Sequence, residues 1–159
     1  MRGWFQKSVS QVGALPFVNV GDDIFIALIT SRRRGRWIIP KGWPVKGLTF
    51  SESAAREALE EAGCLGPIAA SPCGSYDYRK RASSGYSVTA TVQVFPLKVV
   101  YQKLGWRERD QRSLKWMPLN EAVACADDEG LCRLIANIAQ MPDSLNSENF
   151  IRTDSWSDH

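Results

Sequence analysis

Four charged residues near the middle of the chain have the types and the spacing of a metal-binding helix face: Arg56, Glu57, Glu60 and Glu61. In an α-helix, at about 100° per residue, the glutamates span an arc of roughly 100° on one side, and Arg56 lies one turn before Glu60. Carboxylates this close repel one another unless they share a positive charge, and Mg²⁺ prefers such oxygen ligands. The pattern therefore predicts a divalent-cation site at exposed helix positions, although glutamate-rich helix faces also occur as plain solvated surface.

The segment 49–63 carries the signals that begin and end a helix. Thr49 and Glu52 match a capping box, in which a hydroxyl and a carboxylate bind free amide groups of the first turn, and Gly63 is a typical helix stop. The apolar residues share the arc opposite the glutamates: Ala54, Ala55, Ala58, Leu59 and Ala62. Because most of them are alanine, we expect this helix to pack very close to a sheet.

The other elements of the chain alternate between strand and helix patterns. Strands are predicted at 11–20, 24–30, 36–39, 75–79, 86–101 and 114–117, and helical segments at 119–126 and 128–140. Helices that cover both faces of one sheet give a mixed α/β fold. We expect one domain over residues 1–141, followed by a polar, mobile tail over residues 142–159.

The net charge is only +3, but the charges are unevenly distributed. No acidic residue lies between Asp23 and Glu52 or between Tyr78 and Arg107, so basic segments flank the glutamates. This arrangement favours an anionic ligand that reaches the carboxylates through a metal, although a solvated basic surface has the same composition. The candidate contacts for substrate phosphates are Arg32, Arg33, Arg34, Lys41, Arg79 and Arg81.

Composition excludes several other functions. His159 is the only histidine, so histidine-based catalysis and histidine metal sites are excluded. The chain has no apolar run near the roughly 20 residues that span a bilayer, and its first residues lack a secretory signal, which favours the cytoplasm. The four cysteines form no C-x-x-C pair and are expected to be reduced. The expected partner is therefore a phosphorylated small molecule rather than a membrane or a nucleic acid, and the oligomeric state stays open.

The segment 42–64 resembles the Nudix box, the signature of the Nudix hydrolase family. The residues that match the box in register are Gly42, Arg56, Glu57, Glu60, Glu61 and Gly63. Ala58 and Cys64 stand where the family has larger aliphatic residues, and Leu48 stands where it has a glutamate. Leu48 either removes a carboxylate from the outer shell of the metal or packs in a loop of a different shape.

This resemblance implies a fold, an activity and a set of roles. The fold would be the Nudix α/β/α sandwich around a mixed sheet, and the activity Mg²⁺-dependent hydrolysis of a pyrophosphate linkage, with Mn²⁺ as a possible substitute. The metal ligands would be Gly42, Glu57, Glu60 and Glu61, and the catalytic residues Glu57, Arg56 and Glu60. Arg56 would orient the helix glutamates, and Glu57, or secondly Glu108, would be the general base.

Segments outside the box are similar to one group within the Nudix family. The approach Arg36–Gly42, the basic turn Arg79–Arg81 and the segment Lys115–Leu119 are similar to Nudix enzymes that cleave diphosphoinositol polyphosphates and dinucleoside polyphosphates. Such a polyphosphorylated compound is the expected substrate. Hydrolysis of nucleoside triphosphates or ADP-ribose is an alternative, and a catalytically weak module that binds polyphosphate or nucleic acid is another.

Overall fold

The structure, a computed structural model, describes residues 8–81 and 85–153. Its strands are β1 Ser8–Val20, β2 Asp23–Thr30, β3 Trp37–Ile38, β4 Lys41–Gly42, β5 Cys64–Leu65, β6 Ile68–Ala69, β7 Gly74–Arg81, β8 Ser87–Lys98, β9 Tyr101–Gln102, β10 Leu114–Pro118 and β11 Phe150–Ile151. Its helices are α1 Phe50–Ala62, α2 Leu119–Cys125 and α3 Glu129–Gln140, with short 3-10 turns at Arg109–Gln111 and Pro142–Leu145.

The central sheet has the strand order β10-β2-β1-β8-β6-β11, with β3 beside β2, β4 beside β1 and β7 beside β8. β1 and β8 run parallel over a long register, from Ser8 opposite Thr89 to Phe17 opposite Lys98. The other pairs of this sheet are antiparallel. The predicted mixed sheet is therefore confirmed, and β1 at its centre carries β4, the strand that leads into the box.

Helices cover both faces of this sheet. On one face, Ala54, Ala58 and Ala62 of α1 are fully buried in a cluster with Val12 and Ala14 of β1. The other face has a second apolar cluster, which includes the buried leucines and isoleucines of α3. The predicted α/β/α sandwich is confirmed, and the alanine face explains how α1 comes close enough to β1 and β4 to bring its glutamates to the sheet.

The two ends of α1 are held as the sequence predicts. The Thr49 hydroxyl accepts the Glu52 N–H at 3.1 Å, and the Glu52 carboxylate accepts the Thr49 N–H at 2.9 Å. Gly63 ends the helix with a φ of 65°, in the left-handed region that favours glycine. The first and last residues of the helix are therefore fixed by local contacts at both ends.

Residues 142–153, the first part of the predicted tail, pack on the domain. Leu145 is buried in the cluster under α3, β11 pairs with β6, and the buried Thr153 hydroxyl donates to the Gly66 carbonyl at 2.6 Å. A few apolar side chains in a polar stretch find partners only once the sheet has formed. Residues 154–159 of this predicted tail, residues 1–7 of the predicted domain and residues 82–84 of the basic turn lie outside the described residues.

Leu145→Ala is expected to lower the free energy of unfolding by about 2–5 kcal/mol, because it opens a cavity in a packed cluster. Urea unfolding followed by circular dichroism measures the change. Met141→Ala, at a side chain that is 68% exposed, is the control and should stay within about 0.5 kcal/mol of the wild type. Equal midpoints for both variants would mean that the segment after α3 does not hold the domain together.

Candidate metal and phosphate site

Gly42 and Glu57 are in direct contact where α1 crosses the sheet. Gly42 pairs with Val12 of β1, and the Glu57 carboxylate lies against its Cα. A Cβ built on Gly42 would be 2.5 Å from both Cδ and Oε1 of Glu57. Glycine is therefore required here by the close approach of a carboxylate, which also places the Gly42 backbone beside it.

Glu61 lies beside Glu57 and is buried, not exposed as the sequence predicted. Its Oε1 accepts the Lys41 N–H at 3.1 Å, and its Oε2 is 3.6 Å from Nη2 of Arg112. Burial, and then the hydrogen bond that the Glu61 carboxyl group donates to the Glu57 carboxylate, raise the pKa of Glu61 to about 9. Burial also raises the pKa of Glu57. Two acidic groups that share a partly buried position in this way can lower their mutual repulsion by sharing a cation.

The Glu60 carboxylate contacts two arginines instead of Glu57 and Glu61. Its Oε1 is 3.3 Å from Nε of Arg56 and 3.5 Å from Nη1 of Arg107, so the predicted ion pair with Arg56 is present. Over residues 8–81 and 85–153, no three side chains of the His, Cys, Asp and Glu types converge as a metal site. The structure thus brings together Gly42, Glu57 and Glu61 of the predicted ligands, while Glu60 faces the guanidinium groups.

The loop 106–112 closes one side of this cluster. One of its arginines, Arg112, belongs to the site but was not predicted from the sequence. Trp106 Nε1 donates to the Glu61 carbonyl at 3.2 Å, and the Glu108 N–H donates to the Glu60 carbonyl at 3.1 Å. Arg112, which is 8% exposed, pairs with Glu108 through Nε at 3.0 Å. The i,i+4 spacing of Glu108 and Arg112 is a sequence signal for that pair, but nothing in it shows that Arg112 reaches α1.

The Lys41 side chain lies on the side of β4 that faces away from the Glu57 carboxylate, against β7. Its Nζ is 4.8 Å from the centroid of the Tyr78 ring, and the Tyr78 hydroxyl donates to Gln11 Oε1 at 2.6 Å. Burial lowers the pKa of Lys41, while the charges of Asp128 and Glu61 act in the other direction. Of this group only Lys41 was predicted, because the others come from strands and a helix start that are distant in sequence.

The side chains of β7, which include the predicted phosphate contacts Arg79 and Arg81, alternate between the two faces of the strand. Tyr76 and Tyr78 point toward the Lys41 side, and Lys80 is near enough for its charge to lower the pKa of Lys41. Successive side chains of a strand point to opposite faces, and Arg79 and Arg81 are exposed on the other one. The structure therefore brings Lys80, and not Arg79 or Arg81, to the side of Lys41.

The arginines of the turn after β2 differ in position. Arg32 Nη1 donates to Gln111 Oε1 at 3.2 Å, and its Nε is 3.9 Å from Glu108 Oε1. Arg32 thus lies at the rim of the loop that covers the carboxylates. Arg33 and Arg34 are exposed at the tip of the turn.

Leu48 is half-buried in a loop that closes against α1. Its N–H donates to the Val45 carbonyl at 3.1 Å, and the Val45 N–H donates to the Ser53 hydroxyl at 2.9 Å. The loop is therefore held by its backbone without a carboxylate at position 48. How Leu48 affects metal affinity stays a prediction.

Known proteins share both the sequence pattern and the fold. The family profile described as NUDIX domain matches residues 8–135. The chain belongs to the Nudix family. The family that the box residues indicated is thus confirmed over most of the chain.

Curated Nudix relatives align with a large part of the chain. Nudix hydrolase 21, chloroplastic, of Arabidopsis thaliana is 32% identical over 117 residues, 70% of this chain and 57% of that protein. Nudix hydrolase 12, mitochondrial, of the same plant is 27% identical over 84% of this chain and 66% of its own length. The putative mutator protein MutT4 of Mycobacterium tuberculosis is 31% identical over 79% and 52%, respectively. The chain thus spans between about half and two thirds of the length of these relatives.

Solved Nudix structures share the fold. An Ap4A hydrolase binary complex from Caenorhabditis elegans superimposes with a TM-score of 0.62 at 19% identity, over 86% of this chain and 98% of that one. The NUDIX domain of Shewanella oneidensis NrtR, complexed with ADP ribose, gives 0.64 at 17% identity, over 87% and 90%. At such identities the likeness concerns the fold.

The location of the protein in the cell stays a prediction. Among the described residues, none of the helices combines the length and the apolar character needed to cross a bilayer. Two of the Arabidopsis relatives carry names that place them in mitochondria or chloroplasts, whereas the cytoplasm is predicted for this chain.

Proposed function

We propose that this Nudix chain hydrolyses a pyrophosphate linkage in a polyphosphorylated small molecule, with Mg²⁺ as its cofactor and Mn²⁺ as a substitute. The observation that carries the proposal is the contact of the Glu57 and Glu61 carboxyl groups beside the backbone of Gly42. Since the chain covers only part of its relatives' lengths, the activity rests on this site and on the family together.

The donor set fits a hard divalent cation. Glu57 and Glu61 supply carboxylate oxygens and Gly42 supplies a backbone carbonyl, and Mg²⁺ is typically held by one or two carboxylates, waters and substrate phosphates. When bound, the cation neutralises charge on the phosphoryl oxygens and lowers the pKa of a bound water. Glu60 would join this set only by turning from Arg56 and Arg107, so it is the weaker candidate ligand.

Residues at and near the two carboxyl groups are the candidates for proton transfer and for phosphate binding. Glu57 is the first candidate for the general base. Glu108 is second, because Arg112 and Arg32 already hold its carboxylate. Lys41 on one side and Arg32 on the other are the candidate contacts for phosphate groups, since a charged donor binds phosphate oxygens strongly.

Dinucleoside polyphosphates and diphosphoinositol polyphosphates are the proposed substrates. Basic groups stand on both sides of the carboxylates, which favours a substrate with several phosphates. The Ap4A hydrolase of the nematode supports the first class by its fold. ADP-ribose is the alternative, because the NrtR domain with the same fold is complexed with it.

Phosphate release from a panel of substrates tests this proposal. Diadenosine polyphosphates, diphosphoinositol phosphates, nucleoside triphosphates and ADP-ribose are each incubated with the protein in Mg²⁺, in Mn²⁺ and in a chelator. We expect hydrolysis of a polyphosphorylated compound in the presence of metal and none in the chelator. Binding without hydrolysis across the whole panel would instead identify a binding module.

Changing Arg32, Arg33 and Arg34 together to Ser is expected to raise KM about tenfold for a polyphosphorylated substrate, the equivalent of one charged hydrogen bond. The effect on KM for ADP-ribose should be smaller, because it carries fewer phosphates. The double change Arg79→Ser and Arg81→Ser tests the face of β7 and should alter KM less than the triple change. The same KM shift for both substrates would assign the turn arginines to the solvated surface.

A further inference from the structure

We infer that Arg112 is a positioning residue for the proposed cation site, because its guanidinium ties the Glu61 carboxylate to the loop 106–112 and to the end of β2. This inference rests on the proposed function, since it concerns how well the carboxylates are arranged to bind a divalent cation. Arg112 lies outside the Nudix box and touches the box through Glu61.

The guanidinium of Arg112 is engaged in three directions at once. Nε is 3.0 Å from Glu108 Oε1, Nη1 donates to the Thr30 carbonyl at 3.0 Å, and Nη2 is 3.6 Å from Glu61 Oε2. These partners belong to the loop, to β2 and to α1. A planar guanidinium presents its donors in a fixed fork, so two of these contacts set the direction of the third.

The residues that contact the Arg112 guanidinium from β2 and from the loop are themselves held by hydrogen bonds. Thr30 and Ser113 exchange hydrogen bonds, with the Thr30 N–H donating to the Ser113 carbonyl at 3.0 Å and the Ser113 N–H to the Thr30 hydroxyl at 2.8 Å. The bonds from Trp106 and Glu108 to α1 hold the other end of the loop. Arg112 is therefore fixed by its neighbours before it contacts Glu61, and its 8% exposed side chain has little room to move.

Glu61 is thereby oriented through both of its oxygens. The Lys41 N–H binds Oε1 and the Arg112 guanidinium faces Oε2, so the carboxylate keeps the position in which it contacts Glu57. Without Arg112, only the Lys41 N–H and the Glu57 carboxyl group would hold Glu61, and its carboxyl group could turn more freely. A lysine at position 112 keeps the charge but cannot reproduce a fork with three directions.

The charge of Arg112 also acts on a bound cation, and a lysine at position 112 separates this effect from positioning. A positive group 3.6 Å from Glu61 repels a metal bound there. If Arg112 acted through its charge alone, lysine would leave metal binding unchanged, whatever the effect of a neutral residue. If Arg112 acts by positioning, both replacements weaken it.

Mn²⁺ binding, measured from the electron paramagnetic resonance signal of the free ion, decides between these outcomes. We expect Arg112→Met and Arg112→Lys each to raise the dissociation constant by about 10-fold or more, the size typical of residues that orient metal ligands. Arg133→Met is the matched control, because Arg133 forms an exposed i,i+4 ion pair with Glu129 on α3. Its dissociation constant should equal that of the wild type.

The outcomes separate this inference from the proposed function. If the wild type binds no Mn²⁺ and hydrolyses nothing in the panel, the proposed function itself is wrong. If the wild type binds Mn²⁺ and the Met variant binds it as tightly or more tightly, or the Lys variant restores binding fully, the positioning role is wrong. Circular dichroism confirms that each variant is folded. The Lys variant keeps the buried charge, and it decides the question should the Met variant unfold.

Discussion

Gly42→Ala is expected to lower turnover by about 10² or more at saturating Mg²⁺, because the new Cβ would occupy the place of the Glu57 carboxylate. The built Cβ is 2.5 Å from Cδ and Oε1 of Glu57, so the carboxylate must move by a large part of an ångström or more. A displacement of about 1 Å can cost a factor of about 10² in rate. Initial rates on the best substrate of the panel measure the effect.

Gly105→Ala is the matched control for that substitution. A Cβ at Gly105 meets nothing within 4 Å, so turnover should stay at the wild-type value. A Gly42→Ala variant with wild-type turnover would show that the contact between Gly42 and Glu57 is not needed for the reaction. Because the side chain of Glu57 can swing aside, we expect the alanine variant to remain folded.

Glu57→Gln and Glu61→Gln are each expected to lower turnover by about 10² or more, a loss of roughly 3 kcal/mol of transition-state stabilisation. The amide keeps the shape of the side chain but removes the charge that the proposed cation requires. The fold should persist, because a neutral group at a buried position such as Glu61 avoids the cost of burying a charge. Rates at increasing Mg²⁺ show whether the loss remains at saturation.

Glu52→Gln is the control for these two variants, since Glu52 lies on the same helix but serves its capping box. It should keep the wild-type turnover. Wild-type rates in both site variants at saturating Mg²⁺ would exclude the carboxylate pair as the centre of the reaction. Glu60→Gln adds a test of the third glutamate: a loss smaller than that of the other two is expected, because Arg56 and Arg107 hold its carboxylate.

The sequence by itself determined those parts of the protein that depend on neighbours a few residues apart. The capping box at Thr49, the stop at Gly63 and the alanine face of α1 act within one helix, so their pattern could be read directly. The Nudix box is equally local, and it indicated the family and the mixed α/β/α fold. The ion pair of Arg56 with Glu60 follows from their separation by one turn.

The tertiary structure decided which of these residues meet and which lie apart. Helical spacing placed three glutamates on one face, but the close packing of α1 on β4 buries Glu61, brings Glu57 to Gly42 and leaves Glu60 to two arginines. Alternation along β7 and its register with β8 put Lys80 on the side of Lys41 and Arg79 on the other. Such choices depend on packing between elements, which periodicity within one element does not contain.

Contacts between distant segments are the part of the site that the sequence left undetermined. Arg112 reaches Glu61 across 51 positions of chain only because β10 pairs with β2 and the loop before it docks on α1. The segment after α3 reads as polar because its apolar residues are few, yet Leu145 and Phe150 find partners on the finished sheet. In both cases the contact is stabilised by surfaces that exist only after folding. A local sequence pattern therefore does not predict the contact.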